Sequence, residues 1–418
     1  MDLLVRNGWI PDRGGCDLKV VAGRIAAIGP GLEAPPEVPR IDAGGMAIMP
    51  GLVNGHTHAA MTLFRGFGDD LPLDTLLRDR LWPVEARMDE ESVYWGTRLA
   101  CLEMIRSGTL VFWDMYWHFH GMARAVEEMG LRCALGVPMI DVAGPEQGRW
   151  CREEAIRLHE ESSRYSERIH LTVTPHAIYS VSLENLEWVA GFAAERGVAV
   201  QLHLAETRRE VTDSLERTGL RPAFLLDRVG LLHPRVLLAH GVHLDAEELD
   251  LIAARGATLV TNPVSNMKLA VGGVFPYSAA QRRGIPLALG TDGPATNNGL
   301  DLFQDMKILA LLQKQAQADP TLLPAAECWR LATGRMAPLL GGSGRVEVGE
   351  RADFLLIDRE TPELCPGHDF ISDLVYAASG QVVDTAVVAG RVLMRHRVIA
   401  GEAEIRREAA AQARRLCR

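Results

Sequence analysis

Four lysines stand against forty arginines in this chain of 418 residues, and no lysine occurs between Lys19 and Lys268. Cysteine is sparse too: seven, an odd number, are scattered without a Cys-x-x-Cys pair. That spacing fits reduced thiols in a cytoplasmic protein better than a disulfide framework or a thiolate zinc site. Nowhere do about 18 apolar residues run without charge, so no membrane-spanning helix is expected. The opening Met1-Asp2-Leu3-Leu4-Val5-Arg6-Asn7-Gly8 lacks the apolar core of a signal peptide. A net charge of −10 argues against nucleic acid or an anionic membrane as the main partner. The chain has no Walker loop, His-Glu-x-x-His, Gly-x-Ser-x-Gly or Pro-Cys-x-x-Cys motif. His159-Glu160-Glu161-Ser162-Ser163 begins like the zinc-protease motif but lacks its second histidine.

What is present is an ordinary globular composition, 47% hydrophobic and 23% charged, long enough for one large domain and a smaller one. Residues 1–50 read as short strands with turns: Leu3–Ile10, Asp17–Val21 and Arg24–Ile28. The same texture returns in 345–418, with Asp353–Asp358, Thr385–Ala389 and Val392–Met394, before an Ala/Arg/Glu-rich surface helix over Glu402–Arg415. Two β-rich ends around a different middle predict one small β-sandwich built from both termini. Residues 51–344 alternate strand and helix. The strands are expected at Ala47–Asn54, Thr109–Trp113, Cys133–Ile140, Ile169–Thr174, Ala199–Leu204, Val236–Ala239, Ala257–Thr261 and Pro286–Leu289. Helical patterns such as Glu91–Arg106, Asn185–Arg196 and Ala246–Arg255 lie between them, each closed by a nearby glycine. Eight short apolar strands alternating with helices predict a (β/α)8 TIM barrel.

In such a barrel the chemistry sits at the C-terminal ends of the strands. Reading those ends in order gives His56/His58, Asp114, Asp141, His176, His203/Glu206, His240, Asn262 and Asp292, a polar group for every strand. On a strand, residues i and i+2 share a face, so His56 and His58 can grip one cation. With His203 and Asp292 they make an N/O ligand set without thiolate, suited to a catalytic Zn²⁺ or Fe²⁺ with an open position for water. Such an ion lowers the water's pKa to about 7. Glu206, three residues after His203, is in reach of that water as a proton shuttle, and His240 would orient or deprotonate it. His118 and His120 form a second His-x-His, too far past its strand to count as a ligand pair, and are expected at a pocket rim or helix cap.

Met49-Pro50-Gly51-Leu52-Val53-Asn54-Gly55-His56-Thr57-His58, His203-Leu204-Ala205-Glu206, Ala239-His240-Gly241 and Gly290-Thr291-Asp292-Gly293 together resemble the amidohydrolase superfamily. Leu81-Trp82-Pro83-Val84-Glu85, Thr174-Pro175-His176, the run from Asn262 to Leu269 and Thr296-Asn297-Asn298 resemble its 5-methylthioadenosine/S-adenosylhomocysteine deaminase group, which has triazine chlorohydrolase-like relatives. The resemblance spans essentially the whole chain. Superfamily members with two metals bridge them with a carbamylated lysine on the fourth strand. No lysine is available there and His176 takes the position, so one metal is expected, Zn²⁺ ahead of Fe²⁺.

The resemblance implies metal binding by His56, His58, His203 and Asp292. Glu206 would protonate the purine ring as hydroxide attacks C6, and His240 with Asp292 would take the water's proton before ammonia leaves. It also implies substrate contacts by Glu85 at the ribose hydroxyls, by His176, and by Arg149 at the far end of the substrate. The expected substrate is an adenine nucleoside, namely 5′-methylthioadenosine, S-adenosylhomocysteine, adenosine or 5′-deoxyadenosine. A homo-oligomer is also implied. One departure stands out: where family members can carry an arginine just after strand three, this chain has Val137-Pro138. Losing a charge-assisted contact of roughly 1.5–3 kcal/mol disfavours S-adenosylhomocysteine, with its homocysteine carboxylate. The readings left open are deamination or dechlorination of guanine, cytosine or an s-triazine, and a catalytically inactive scaffold barrel.

Overall fold

A computed structural model describes residues 1–342 and 344–417. Its centre is a barrel of parallel strands: Leu52–Thr57, Thr109–Met115, Arg132–Gly136, Ile169–Pro175, Ala199–Leu204, Val236–His240, Thr258–Thr261 and Leu287–Leu289. Each pairs in parallel with the next along the chain. The circle closes through an isolated bridge between Thr57 and Asp292, where the Asp292 N–H donates to the His56 carbonyl at 3.0 Å. Beside it, the Asn54 side chain donates to Thr291 Oγ1 at 2.7 Å and accepts from the Thr291 N–H at 3.0 Å. This side chain supplies the pairing that the short last strand does not extend far enough to make.

The strands are short and almost wholly buried, as expected for parallel strands covered by helices. The helices are framed by local chemistry. Glu90–Arg106 starts in a reciprocal capping box between Asp89 and Ser92, and Ala246–Arg255 in one between Asp245 and Glu248. Gly197 and Gly256 stop Leu183–Arg196 and Ala246–Arg255 in the left-handed conformation that a Cβ would disfavour. Inside the barrel, Val53, Trp113, Leu237, Val260 and Ala288 pack with Leu340 in one apolar cluster. The open end is the C-terminal one.

Two of the predicted strands are each broken in two. The stretch 47–54 divides at Pro50-Gly51. Met46–Pro50 pairs antiparallel with Phe354–Asp358 outside the barrel, and Leu52–Thr57 begins the barrel. Pro50 lacks the N–H a continuous ladder needs, which makes it a natural place to change sheets. Likewise, 133–140 is interrupted after Gly136 and resumes as Pro138–Met139 beside the end of Ile169–Pro175.

The second sheet draws on both termini. Its order is Arg391–Met394, Val383–Val388, Phe354–Asp358, Met46–Pro50, Leu3–Ile10, Gly14–Val21 and Arg24–Gly29, with Arg40–Asp42 also on Leu3–Ile10. It has its own apolar cluster, including Leu3, Val5, Leu18, Ile48, Phe354 and Leu356. The last helix, Glu402–Leu416, lies on the surface but buries Ile405, Ala409 and Leu416, and its Arg415 reaches Asp89 at 2.9 Å.

Sheet and barrel are clamped by a buried ion pair. Arg132, first residue of the third barrel strand, donates through Nε to Asp353 Oδ2 at 2.7 Å, and the two side chains are only 7% and 6% exposed. Asp353 Oδ1 also accepts from the Ala389 N–H at 2.8 Å. Asp353→Ala would strand the Arg132 charge in the interior, a change that costs about 3–5 kcal/mol. Its thermal unfolding midpoint should fall clearly below that of the parent protein; an unchanged midpoint would show that the clamp contributes nothing.

Candidate active site

The pleat and the barrel place the predicted ligands. His56 and His58 point from one face of the first strand's end, His203 comes from the fifth strand, and Asp292 lies just past the eighth. His56 Nε2 lies 3.1 Å from His203 Nε2 and 3.6 Å from Asp292 Oδ1. His58 Nε2 lies 3.4 Å from His203 Nε2 and 3.2 Å from Asp292 Oδ1. All four ligand atoms fall within 4.8 Å of one another.

The backs of the rings are tied. His58 Nδ1 donates to the Met115 carbonyl at 2.7 Å and His203 Nδ1 to the His176 carbonyl at 2.7 Å. His56 Nδ1 faces Gln201 Oε1 at 3.4 Å, and the Gln201 amide is itself held by the Asp114 carbonyl at 2.8 Å. These partners put the protons on Nδ1 and leave the Nε2 lone pairs converging. Lone pairs facing each other without a proton or cation repel, whereas zinc–nitrogen bonds of 2.0–2.1 Å in a tetrahedron set ligand atoms about 3.3 Å apart. The donor set therefore fits one divalent cation.

Asp292 is aimed with equal care. Its backbone is left-handed, with φ 62°, a region Asp tolerates better than most residues. Oδ2 accepts from Ser265 Oγ at 2.6 Å and Thr296 Oγ1 at 2.9 Å, which turns Oδ1 to the histidines. Gly290, two residues earlier, passes so close to the His56 backbone and the Asn262 amide that a Cβ would collide with both.

His240 stands beside this cluster, its ring centroid 5.4 Å from that of His203. Its Nδ1 donates to Asn266 Oδ1 at 2.8 Å and lies 3.9 Å from Glu206 Oε1, so Nε2 is left as the acceptor. Burial lowers the proton affinity of His240, but the charges of Glu206 and Asp292 outweigh it and the pKa ends raised. Burial raises Glu206 above the ordinary carboxylate range, against the opposing pull of His240. Burial drives His56 down to about 3 and His176 to about 4, keeping both imidazoles neutral.

The cluster forms the floor of a pocket whose walls carry His176, Glu206, His240 and Glu85. Glu85 arrives from the helix Trp82–Glu85 and accepts from Tyr116 Oη at 2.7 Å. His176 is held through Nδ1 by Ser180 Oγ at 2.8 Å. Most of the remaining wall is apolar, including Leu73, Leu77, Leu81, Trp82, Pro138 and Ile140, with hydroxyls from Tyr116, Tyr179 and Thr296. Among the described residues that line it there is no lysine or arginine.

Eight of the nine expected site residues thus come together; Arg149 does not. It sits on the outer side of the helix Pro145–Glu161, 64% exposed and paired with Glu146 at 3.4 Å, away from the pocket lining. His118 occupies the N-cap of Phe119–Met129, while His120 bonds Tyr165 Oη and Glu161, at 2.8 and 2.7 Å. His243 bonds the Val271 carbonyl. Sequence reasoning missed the orienting groups Gln201, Ser265, Asn266 and Thr296. Gln201 had a signal two residues before His203 on the same strand face, and Ser265, Asn266 and Thr296 lie in the runs that carry the family resemblance, though without an assigned role.

A (β/α)8 barrel with three imidazoles and one carboxylate converging at the strand C-termini has the form of a metal-dependent hydrolase. The chain belongs to the amidohydrolase family, whose profile matches residues 47–393. It is a hydrolase acting on carbon–nitrogen bonds. It is 47% identical to a 5′-deoxyadenosine deaminase of Methanoregula boonei, over 90% of this chain and 86% of that one. It is 40% identical to 5-methylthioadenosine/S-adenosylhomocysteine deaminase 1 of Archaeoglobus fulgidus, over 96% and 95%. The crystal structure of a Xanthomonas campestris adenosine deaminase with bound zinc superposes with a TM-score of 0.92 at 36% identity, covering 99% of this chain and 98% of that one.

Replacing His203 by alanine should abolish stoichiometric metal in the purified protein. Ser265→Ala, which removes one of the two hydroxyls on Asp292 Oδ2 and leaves Thr296, should weaken metal affinity about 10–100-fold. Titration with a competing chelator distinguishes the two, and equal affinity in Ser265→Ala and parent would exclude the orienting role.

Proposed function

We propose that this protein hydrolytically deaminates an adenine nucleoside with a small apolar 5′ group, 5′-deoxyadenosine or 5′-methylthioadenosine, giving the inosine analogue and ammonia. The observation that carries this reading is the pocket wall. Besides Asp292 of the metal cluster, two carboxylates, Glu85 and Glu206, face a lining that is otherwise apolar, histidine-bearing or hydroxyl-bearing and has no cationic lysine or arginine among its described residues. A ribose diol and a basic ring nitrogen are groups that carboxylates recognise, and an apolar 5′ substituent suits Leu73, Leu77, Trp82 and Ile140. A 5′ tail ending in a carboxylate meets no partner there. The names of the relatives from Methanoregula and Archaeoglobus support the same class.

His56, His58, His203 and Asp292 would hold one zinc ion, a choice supported by the zinc in the Xanthomonas structure. When bound, such an ion lowers the pKa of a coordinated water to about 7. The chain's own groups handle the protons. Glu206, with its raised pKa, keeps its proton to higher pH than an ordinary glutamate and donates it to the purine ring nitrogen. His240, its Nδ1 committed to Asn266, takes a proton through Nε2 and returns it to the leaving amine. Asp292 Oδ1 would be a ligand of such an ion and a second acceptor for a proton from water. Glu85 spends one oxygen on Tyr116 and offers the other to the ribose hydroxyls. His176, held by Ser180, presents Nε2 to the base or sugar.

Seven free thiols support a reducing, cytoplasmic setting. The exposed Trp82, Val142 and Trp150, at 48, 70 and 53%, support self-association, which sedimentation tests.

Ammonia release from 5′-deoxyadenosine, 5′-methylthioadenosine, adenosine, S-adenosylhomocysteine, guanine, cytosine and a chlorotriazine is the direct test. The first two should give the highest kcat/KM, and a clear preference for S-adenosylhomocysteine or a free base would overturn the proposal. Glu85→Ala should lose nucleoside turnover. Glu206→Gln should lower kcat by about 10²–10⁴. In the parent, activity should decline on the alkaline side as Glu206 loses the proton it donates.

A further inference from the structure

Glu210 is a buried carboxylate, 4% exposed, to which the chemistry above assigns no part. It occupies the third position of the helix Arg208–Thr218, and its N–H donates to the N-cap Thr207 Oγ1 at 3.2 Å. A glutamate at this position ordinarily turns back to the N–H of the N-cap residue itself. Here it reaches further back. One carboxylate oxygen accepts from the Ala205 N–H at 2.9 Å and the other from the Glu206 N–H at 2.9 Å.

Those amides belong to a segment with no sheet partner of its own. The fifth barrel strand stops at Leu204, and Ala205 sits at φ 50°, a left-handed conformation unfavourable for a residue with a Cβ. The carbonyls of Leu204 and Ala205 are held by the N–H groups of Gly241 and His243, each at 2.9 Å. Glu210 holds the amides from the other side. Gripped on both sides, the backbone turns the Glu206 side chain into the pocket, 3.9 Å from His240 Nδ1.

We infer that Glu210 is a positioning residue: by accepting both the Ala205 and Glu206 amides, it aims Glu206 at the substrate's ring. A glutamine could accept from one amide only, turning its own NH₂ against the other. An aspartate would fall one methylene short. The inference rests on the proposed role of Glu206 as proton carrier.

The test is steady-state kinetics on 5′-deoxyadenosine, with metal content and thermal midpoint measured alongside, for Glu206→Gln, Glu210→Gln, Glu210→Asp and the Glu206→Gln/Glu210→Gln double variant. Glu210→Gln should lower kcat about 10–100-fold, part of what a positioned proton donor contributes, with KM and bound metal near parent values. In the Glu206→Gln background the same substitution should change kcat by less than about twofold, because residues that act as a unit are not additive. If Glu210→Gln does not fold, Glu210→Asp, which keeps the charge, carries the same expectation of lowered kcat. Parent-like kcat in the folded Glu210 variants overturns the inference alone, as does a loss that multiplies in full in the Glu206→Gln background. Parent-like kcat in Glu206→Gln overturns the proposed role of Glu206, and the inference with it.

Discussion

The hydrogen bond from the Asp292 N–H to the His56 carbonyl is the contact on which the rest of this molecule depends. It joins the first strand to the end of the last, so it closes the barrel. It also sets the distance between the His56 imidazole and the Asp292 carboxylate that faces it. Because closure and site share one seam, the surrounding residues are chosen for close approach. Asn54 bridges to Thr291, Gly290 slips past the His56 backbone, and Asp292 accepts a left-handed backbone.

From that seam the orientation of the site spreads outward in a second layer of hydrogen bonds. Ser265 and Thr296 turn Asp292, Gln201 and the Met115 and His176 carbonyls turn the three histidines, and Asn266 turns His240. Each bond uses up the outward-facing atom of a ring or carboxylate and so leaves the inward atom free. Burial acts on the same groups, keeping His56 and His176 neutral and Glu206 more easily protonated than an exposed glutamate. The outcome is a floor of electron-pair donors beneath a wall that is largely apolar.

Much of this was legible in the residues. His56-Thr57-His58 carries the period of a strand, and His203, His240 and Asp292 each close an apolar run, so barrel geometry alone assigns them to one mouth. Terminal glycines such as Gly197 and Gly256 bounded the helix ends closely. Less was legible at breaks and in side-chain direction. The predicted strand from Ala47 to Asn54 is apolar up to Val53, yet its halves on either side of Pro50-Gly51 join different sheets. Arg149 aligned with a substrate contact, but the register of its helix turns it outward to Glu146. Glu206 and Glu210 are four residues apart, and nothing local shows that one faces the pocket while the other holds its backbone.

The sequence by itself determined the fold class and the imidazole and carboxylate groups that meet at the barrel mouth, because these follow from periodicity and from the polar residue that ends each strand. Only the tertiary structure decided which hydroxyls aim Asp292, that Leu73, Leu77 and Trp82 roof the pocket without a cation among its described walls, and that Arg149 stays outside. The physical reason is range. Alternation and capping act between residues a few positions apart, whereas Asn54 and Thr291 are 237 positions apart and meet only when the barrel closes.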